Sequence, residues 1–479
     1  MKRFLTVFAI YIVAVASIWA VSPSGSLPAI YINTEGGAPV VSKDDYLKAT
    51  YWLEPNGAEG IKAIGSKDAP EKLQIKGRGN YTWIGFDKKP YRLKLDSKAA
   101  LLGMKKSKHF ALLAHADDDL AFLRNTMGFE LSRRLGMPWT PAQEPVEVVL
   151  NGDYIGLYFL TELIRVDKDR VDIVEQPDNI TNPDSITGGW LVEIDNYDDP
   201  AQIKLTEGNG AIIRVTYKTP EELSAPQESW LKEQFTNMDR AIYSADKNSD
   251  EWTSYIDIDR LARFYLVQEI MDNAESFHGS CYMHRDLGPD QKWMFGPVWD
   301  FGNSFHRGQD KYIFTDSPFG QTWIGEIYKF TAFRNAVKKL WDKFQTEDES
   351  QLDAVAQAFA TKITAAAKAD VQRWPNYGCK DVADRKASFM RKIGRKLDWL
   401  RLQWGEAGID TTVADDASIS IDGTGFIHFN GIEPLQVRAF SVAGMNVPLK
   451  QIDHNTLQLS APKGIYIITA PGKSIKIAL

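Results

Sequence analysis

The chain has 479 residues, 44% of them hydrophobic, which is long enough for two or three domains around a sizeable core. Its 56 basic and 63 acidic residues give a net charge of −7. This argues against nucleic acid as the main partner, because phosphate binding usually shows as a basic excess. The two cysteines, Cys281 and Cys379, either pair or remain free thiols, and cysteine spacings typical of structural zinc sites are absent.

The N-terminus has the layout of a secretory signal peptide. Lys2 and Arg3 form a short basic region, and residues 4–20 run almost without polar side chains. Cleavage after Ala20 and export of the mature protein are therefore expected. An uncleaved membrane anchor is the alternative, because the apolar run is near the lower length limit for spanning. No later segment is apolar for long enough, so no integral membrane segment is expected after signal removal.

Four parts follow one another along the chain. The signal at 1–20 leads to an entry segment at 21–70, then to a main domain at 71–405 and, after a polar connector, to a β-rich tail at 419–479. Strands dominate the first half of the main domain and helices the second half. This order predicts the α+β class.

The predicted elements begin with a strand at 30–32 and a hairpin whose strands lie near 73–77 and 91–95, where apolar and charged residues alternate. Asp119 is expected to cap the helix that follows it. A second hairpin is predicted around the turn sequence Asn151-Gly152. Later helical periodicity predicts helices near 257–273, 350–372 and 384–403.

The first chemical cluster is basic. A glycine-containing turn at 76–80 precedes the cationic stretch 88–94. Backbone N–H groups in such a turn can approach phosphate oxygens, and cations on the next strand can neutralise them. A solvated sheet edge is the alternative interpretation of the same stretch.

The second and third clusters are acidic. Carboxylates and an amide end a predicted helix at 269–275, where like charges repel unless a cation or base chemistry requires them. Helix-surface acidity is the alternative. Asp300 stands between Trp299 and Phe301 in the stretch 296–303, and a carboxylate fixed by packing suits Mg²⁺ next to phosphates. Asp-Phe-Gly is also the metal-binding triplet of protein kinases.

These stretches, in this order, resemble the spore-coat protein H (CotH) kinase family over roughly residues 71–405. The matching segments are 76–80, 88–94, 119–125, 148–158 with Glu162, 188–193, 269–282 and 296–301. The resemblance implies an atypical protein-kinase-like fold that binds ATP. It also implies Mg²⁺-dependent phosphorylation of serine on secreted or surface proteins.

Roles carried over from the resemblance fall on eight residues. Asp300 matches the family's metal-binding aspartate, Glu275 the proposed catalytic aspartate and Asn273 the asparagine before it. Asp300 and Glu275 are thus the predicted metal ligands. The resemblance places the nucleotide at the remaining positions, with phosphate contacts expected from the lysines and an acidic partner for a lysine at Glu162: Arg78, Lys89, Lys94, Arg124 and Glu162.

Two departures from the family pattern concern activity. Glu275 replaces an aspartate, which lengthens the side chain by one methylene and shifts the carboxylate by about 1 Å. Gly302 stands where many members carry a second acidic residue, in a W-D-x-D pattern. A pseudokinase that serves as a surface binding or structural protein is therefore the alternative to an active enzyme. A metal-dependent hydrolase that uses Asp300 with three histidines is the third hypothesis: His278, His284 and His306.

The tail resembles a type IX secretion sorting domain, a small all-β, sandwich-like module. The resemblance rests on the stretches 437–444 and 463–468 close to the C-terminus. It implies export across an outer membrane. A carbohydrate-binding β-module is the alternative.

Overall fold

The computed structural model describes residues 21–318, 320–405, 418–422, 425–430, 434, 437–441, 445–470 and 473–478. The predicted signal peptide and most of the predicted connector lie outside the described residues, as do residues 442–444 of the predicted tail stretch 437–444. Helices and strands are mixed along the chain, which agrees with the predicted α+β class. In the described part of the chain, no helix combines the length and the apolarity needed to cross a bilayer.

A closed seven-stranded sheet occupies the N-terminal part of the described chain. Its strands pair in the order β1-β2-β3-β4-β5-β7-β6, and the parallel contact between β1 and β6 closes the barrel. The segment 21–70 contributes β1 and β2 to the same sheet as the following residues. The strands are β1 Ala29–Thr34, β2 Leu47–Glu54, β3 Glu71–Gly77, β4 Tyr91–Ala99, β5 Ser107–Leu113, β6 Gln143–Leu150 and β7 Asp153–Glu162.

Both predicted hairpins are confirmed. Strands β3 and β4 are antiparallel with Ile75 opposite Leu93, and these alternate apolar side chains fill the barrel interior. The connection between them is longer than a tight turn and contains the short helix α1, Tyr81–Gly85. Strands β6 and β7 meet at Asn151 and Gly152, both with positive φ (53° and 83°), as the Asn-Gly pair predicts.

The second half of the main domain contains a five-stranded sheet and most of the helices. The sheet order is β12-β11-β8-β10-β9. Its strands are β8 Trp190–Ile194, β9 Gln202–Thr206, β10 Ile212–Thr219, β11 Cys281–Arg285 and β12 Met294–Phe295. The helices after α1 are α2 Leu123–Arg134, α3 Pro183–Ile186, α4 Ala225–Ile242, α5 Ile258–Ile270, α6 Ile324–Ile327, α7 Thr331–Glu347, α8 Leu352–Arg373 and α9 Val382–Trp404.

Helices α5, α8 and α9 confirm the three predicted helices, whereas the predicted cap of α2 is wrong. This helix begins at Leu123, and Asp119 is exposed and makes no cap hydrogen bond. Asp118 instead accepts a hydrogen bond from the Leu120 amide at 2.9 Å. Ala121 and Phe122 then take positive φ, and this turn delays the start of the helix.

A buried ion pair joins the barrel to α8. Lys88 and Asp370 are both fully buried, with Nζ and Oδ1 2.8 Å apart. Lys88 Nζ also donates to the Leu157 carbonyl at 2.7 Å, and the Leu157 amide donates to Asp370 Oδ1 at 2.8 Å. Gly156 makes this approach feasible, because a Cβ there would lie 2.2 Å from Asp370 Oδ1. Lys88 is therefore a structural residue, although it belongs to the cationic stretch 88–94.

Replacing Lys88 with methionine leaves the buried Asp370 charge without its partner. We expect the free energy of unfolding to fall by about 3–5 kcal/mol, measured by urea denaturation. Lys98→Met is the matched control, because Lys98 makes a surface pair with Asp167 at 4.0 Å and should cost less than about 1 kcal/mol. Equal losses in the two variants would contradict the structural role of Lys88.

The described residues between 418 and 478 form two four-stranded sheets with orders β13-β14-β18-β17 and β16-β15-β19-β20. Side chains from both sheets share one small hydrophobic core. The strands at 418–421 and 426–430 pair with each other. The strands are β13 Ser418–Ile421, β14 Phe426–Asn430, β15 Arg438–Ser441, β16 Asn446–Val447, β17 Leu449–Asp453, β18 Thr456–Leu459, β19 Ile465–Ala470 and β20 Lys473–Ala478.

Candidate active site

The acidic cluster at the end of α5 divides into two fully buried structural carboxylates and the half-buried Glu275. Glu269 and Asp272 are fully buried around the ammonium of Lys396 from α9, at 2.5 and 3.3 Å. Arg307 approaches Asp272 at 3.4 Å. Burial raises the pKa of Asp272, and the two cations oppose that shift. These carboxylates therefore anchor the segment after α5 and are not available to a substrate.

Asn273 holds the loop that carries Asp300. Its Nδ2 donates to the Gln268 side chain and to the Asp300 carbonyl, both at 2.9 Å. Asn273 also forms an isolated bridge with Ser304. The catalytic role predicted for Asn273 stays a prediction, and its contacts are those of a residue that positions Asp300.

Asp300 is exposed on a loop whose neighbours are buried. Its φ is 50°, and its Oδ1 accepts a hydrogen bond from the Gly302 amide at 2.9 Å. The Phe301 amide donates to Asn125 Oδ1 at 2.9 Å, and the Phe301 ring packs against Gly128. The packing of Phe301 and the hydrogen bond from Asn273 thus fix the backbone that presents the Asp300 carboxylate.

Glu275 lies within electrostatic reach of Asp300. Its two carboxylate oxygens accept hydrogen bonds from the side-chain amides of Asn196 and Asn303. Its pKa is raised to about 7, mainly by burial and also by the charges of Asp300 and Asp195, while the Asn196 hydrogen bond opposes the rise. A carboxylate with a pKa near neutrality, adjacent to a second carboxylate, is suited to accept a proton or to share a cation.

Sequence reasoning gave no role to Asn196, Asn303 or Asp117. Asn303 stands three residues after Asp300, so its position carried a local signal. Asn196 follows β8, and only folding brings it to Glu275. Asp117 is a third carboxylate near Asp300, and burial together with Asp118 and Asp300 raises its pKa to about 6.

Arg78 follows β3 and reaches the same site. Its guanidinium lies 5.7 Å from the centre of the Trp299 ring, next to Asp300 in sequence. Burial lowers the pKa of Arg78, and the nearby Asp300 carboxylate opposes that shift. The predicted cofactor-binding residue Arg78 is therefore brought together with the predicted metal ligands.

Arg124 is buried and is committed to the protein itself. Its guanidinium bonds Asp118 at 2.9 Å and Asp119 at 3.1 Å, and its Nε donates to the Ser304 carbonyl at 3.0 Å. Arg124 therefore orients carboxylates of the protein, and its predicted contact with the nucleotide stays a prediction. Through Ser304 it also holds the loop that carries Asp300.

The contacts of Lys89 and Lys94 do not include Glu275 or Asp300. Lys89 Nζ donates to the Trp83 carbonyl at 2.6 Å. Lys94 is exposed, with its ammonium 6.0 Å from the Tyr46 ring centre. Their predicted phosphate contacts stay predictions.

The expected pairing of Glu162 with a lysine does not occur among the described residues. Glu162 faces Arg170 at 3.6 Å, and its Oε2 accepts the Ala142 amide at 3.0 Å. The lysine that has a buried acidic partner is Lys88, which pairs with Asp370. The partner of Lys88 comes from a distant segment, whereas Arg170 follows Glu162 closely in the chain, and the sequence did not indicate either pairing.

The oxygen donors around Glu275 and Asp300 fit a hard divalent cation. Two carboxylates lie close enough to repel each other, and the buried Asn196 Oδ1 has no hydrogen-bond partner in the described part of the chain. Mg²⁺ prefers such oxygens and keeps several waters, so it needs few protein ligands. Within the described residues no cluster of three or more His, Cys, Asp or Glu side chains is arranged to hold a metal, which gives no support to a histidine-bound hydrolase metal.

A cavity of about 470 Å³ lies apart from these residues. It is lined by, among others, Trp139, Arg260, His284 and Pro297. None of the eight residues to which the family resemblance gives a role lines it, and His284 belongs only to the hydrolase hypothesis. The carboxylate pair with Arg78 is therefore the better candidate for catalysis, because it gathers groups with matching chemistry.

The family model described as CotH kinase protein matches residues 74–401, more than half of the chain. The chain belongs to the CotH kinase family. Membership places it among kinases, which are transferases that in general use a nucleotide, a metal ion and a protein substrate. A search of curated proteins finds no match to this chain.

Proposed function

We propose that this protein is an exported atypical protein kinase that transfers the γ-phosphate of ATP to serine on secreted or surface proteins, with Mg²⁺ as the cation. The observation that supports this proposal best is the Glu275–Asp300 pair beside Arg78. One carboxylate is partly buried with a raised pKa, and the other is exposed on a fixed loop. A proton acceptor and a cation ligand need these two different environments.

Each residue of the site has its own role in the proposed reaction. Asp300, with Glu275 beside it, would hold Mg²⁺, which neutralises charge on the transferring phosphoryl group when bound. Glu275 accepts the proton of the serine hydroxyl as the bond from serine Oγ to the γ-phosphorus forms. The bond from that phosphorus to the bridging oxygen breaks, and ADP leaves with the electron pair. Asn196 and Asn303 keep the Glu275 carboxylate oriented.

The test is calorimetric titration of residues 21–479 with ATP, with and without Mg²⁺, followed by transfer of labelled phosphate to a serine-rich acceptor. We expect binding in the micromolar range that requires the cation, and label on serine. Absence of ATP binding under both conditions would refute the proposal.

A pseudokinase remains the second candidate, and the observation that favours it is Gly302. A carboxylate-bearing residue at this position would add a ligand, yet a Cβ there would lie 3.1 Å from Asp300 Oδ1. An added side chain would thus require the Asp300 carboxylate to shift, and with glycine here Asp300 has no acidic neighbour two residues later. ATP binding without phosphate transfer would favour this alternative.

Export is part of the proposal and is supported by the basic start and apolar run of residues 1–20, together with the tail that resembles a sorting domain. Mass spectrometry of the native protein should find a mature N-terminus near Val21. An intact Met1 on a cytoplasmic protein would contradict export.

A further inference from the structure

Five cations lie close together near one face of the barrel. Lys76 pairs with Arg92 across β3 and β4, and Lys94 follows two residues later on the same face. Arg78 is close enough to Arg92 for the two charges to interact, and Arg165 interacts in the same way with the neighbouring His109. We call these five residues the cationic wall: Lys76, Arg78, Arg92, Lys94 and Arg165.

The register of the sheet shows which way the wall faces. Leu93 and Leu95 point into the barrel, so Arg92 and Lys94 lie on the outer face. Arg92 is opposite Ala111, which is fully buried in the large core shared with the helices. The wall therefore starts on the part of the barrel surface that packs against the helices. Arg78 extends it to Asp300.

The wall makes no close ion pair, although Asp300 lies near Arg78, and Asp44 and Asp45 lie near Lys76. In the described part of the chain, none of its five members has a carboxylate within 4.0 Å. Arg92 Nε is buried without a hydrogen-bond partner, and His109 Nδ1, between Arg92 and Arg165, is also buried and unpaired. Surface cations are normally solvated, but a buried guanidinium donor without an acceptor costs stability unless a ligand supplies one.

Burial and the neighbouring cations lower the pKa of His109 and keep its side chain neutral. Burial lowers the pKa of His109 to about 4, and Arg165, Arg92 and Lys94 contribute to the lowering. The ring is thus uncharged at neutral pH and offers hydrogen bonding without further repulsion. In a chain with a net charge of −7, this local excess of positive charge marks a site for an anion.

We infer that Arg92 binds the polyphosphate chain of the nucleotide and that the cationic wall, rather than Lys89, provides its electrostatic complement. This inference rests on the proposed function and assigns phosphate binding to Arg92, a member of the cationic stretch 88–94 to which the sequence gave no individual role. A nucleoside triphosphate fits better than an acidic peptide. The wall runs directly to Asp300, and the cation held there bridges the terminal phosphates. Arg92 presents its donors in the fork geometry that suits phosphate oxygens.

The experiment compares Arg92→Ala with the parent protein, using ATP, inorganic tripolyphosphate and adenosine as separate probes in calorimetry with Mg²⁺. We expect the affinities for ATP and tripolyphosphate to fall about 10- to 100-fold, as for loss of a charge-assisted hydrogen bond. Adenosine affinity should stay within about twofold. Arg92→Lys should recover part of the loss, because it keeps the charge without the fork.

Lys72→Ala is the matched control. Lys72 is an exposed cation on the same strand as Lys76, outside the wall, and its removal should leave all three affinities unchanged. Thermal unfolding of each variant separates a folding defect from a binding defect. If Arg92→Ala does not fold, Arg92→Lys decides the question, and affinities equal to the parent would overturn the inference.

The outcomes separate this inference from the proposed function. ATP binding that Asp300→Ala abolishes and Arg92→Ala leaves unchanged would overturn the role of Arg92 and keep the kinase. A parent protein that binds neither ATP nor tripolyphosphate would overturn both. Unchanged ATP binding in Arg92→Ala, with weaker use of an acidic acceptor peptide only, would assign the wall to the acceptor and overturn the inference.

Discussion

Replacing Asp300 with alanine is expected to abolish cation-dependent ATP binding and to lower phosphate transfer by at least about 100-fold. The reason is that Asp300 is the exposed carboxylate next to Glu275 and Arg78, so it is the group best placed to hold Mg²⁺ against phosphates. Calorimetric titration with ATP, with and without Mg²⁺, measures the first effect. Transfer of labelled phosphate measures the second.

The Asp300 side chain itself contributes little to folding. The loop is held by the Phe301 ring and by hydrogen bonds to Asn273 and Asn125, which the substitution leaves in place. The φ of 50° at position 300 disfavours alanine, so Asp300→Asn is a second variant, because asparagine tolerates this conformation. Asp316→Ala is the matched control, since Asp316 is also exposed with a φ of 50°. Cation-dependent binding equal to that of the parent in both Asp300 variants would refute the assignment.

Local patterning was sufficient to predict the elements that frame the site. Alternation of apolar residues predicted β3 with β4, and Asn151-Gly152 predicted the turn between β6 and β7. Helical periodicity predicted α5, whose end places Asn273 and Glu275. These features depend on residues close together in the chain, so the sequence contains the information needed for them.

Pairing between distant segments could not be predicted in this way. Glu162 was expected to face a lysine, but the fold brings Arg170 to it and brings Lys88 to Asp370 instead. The Lys88–Asp370 pair depends on how the barrel packs against α8, and the Glu162–Arg170 pair depends on the fold of the loop after β7. Burial and packing, rather than residue type, also decided that Lys88 is structural whereas Arg92 has an unpaired donor.

Only part of the candidate site could be predicted, for the same reason. Motif similarity identified Asp300, Glu275 and Arg78, and the structure brings these three together. Similarity gave no role to Asn196, because its significance lies only in a contact with Glu275 across 79 positions of sequence. Because two amides hold Glu275, the expected effect of Glu275→Asp differs from the effect that the family pattern implies.

Replacing Glu275 with glutamine is expected to lower the rate of phosphate transfer by about 100-fold or more while leaving ATP binding measurable. Glutamine keeps the size of the side chain but cannot accept the serine proton, and a general base typically contributes 10²- to 10⁴-fold. Initial rates with a serine-rich acceptor and saturating Mg²⁺-ATP measure the effect. Unchanged rates would show that Glu275 is not the base.

Glu275→Asp distinguishes the family pattern from the geometry of this site. The resemblance alone predicts that aspartate, the family residue, raises the rate or leaves it unchanged. In this structure both carboxylate oxygens of Glu275 meet amides, from Asn196 and Asn303. Aspartate withdraws the carboxylate by about 1 Å, so we expect a loss of about tenfold, as for a misplaced catalytic group. A faster Glu275→Asp enzyme would show that the amides do not set the active geometry.

The raised pKa of Glu275 gives a second readout that does not depend on turnover. Its pKa is about 7 in the folded protein and near 4.5 in the unfolded chain. Between these values the folded state binds more protons, so its stability falls as pH rises from about 4.5 to about 7. Glu275→Gln removes this contribution, and its unfolding free energy should vary less over that range. The transfer rate of the parent should rise through the same range, because the base must be deprotonated.

Asn303→Ala separates the orientation of Glu275 from its titration, because the transfer rate and the pH dependence of that rate are measured on the same variant. It removes one of the amides that orient Glu275 but leaves the carboxylate in place. The transfer rate should fall about tenfold, and the pH dependence of that rate should persist, because the base is still present. A pH-rate profile as flat as that of Glu275→Gln would mean that the profile reports another group, such as Asp117. If the parent binds ATP but transfers no phosphate at any pH, and Glu275→Asp gains nothing, the pseudokinase is the correct reading.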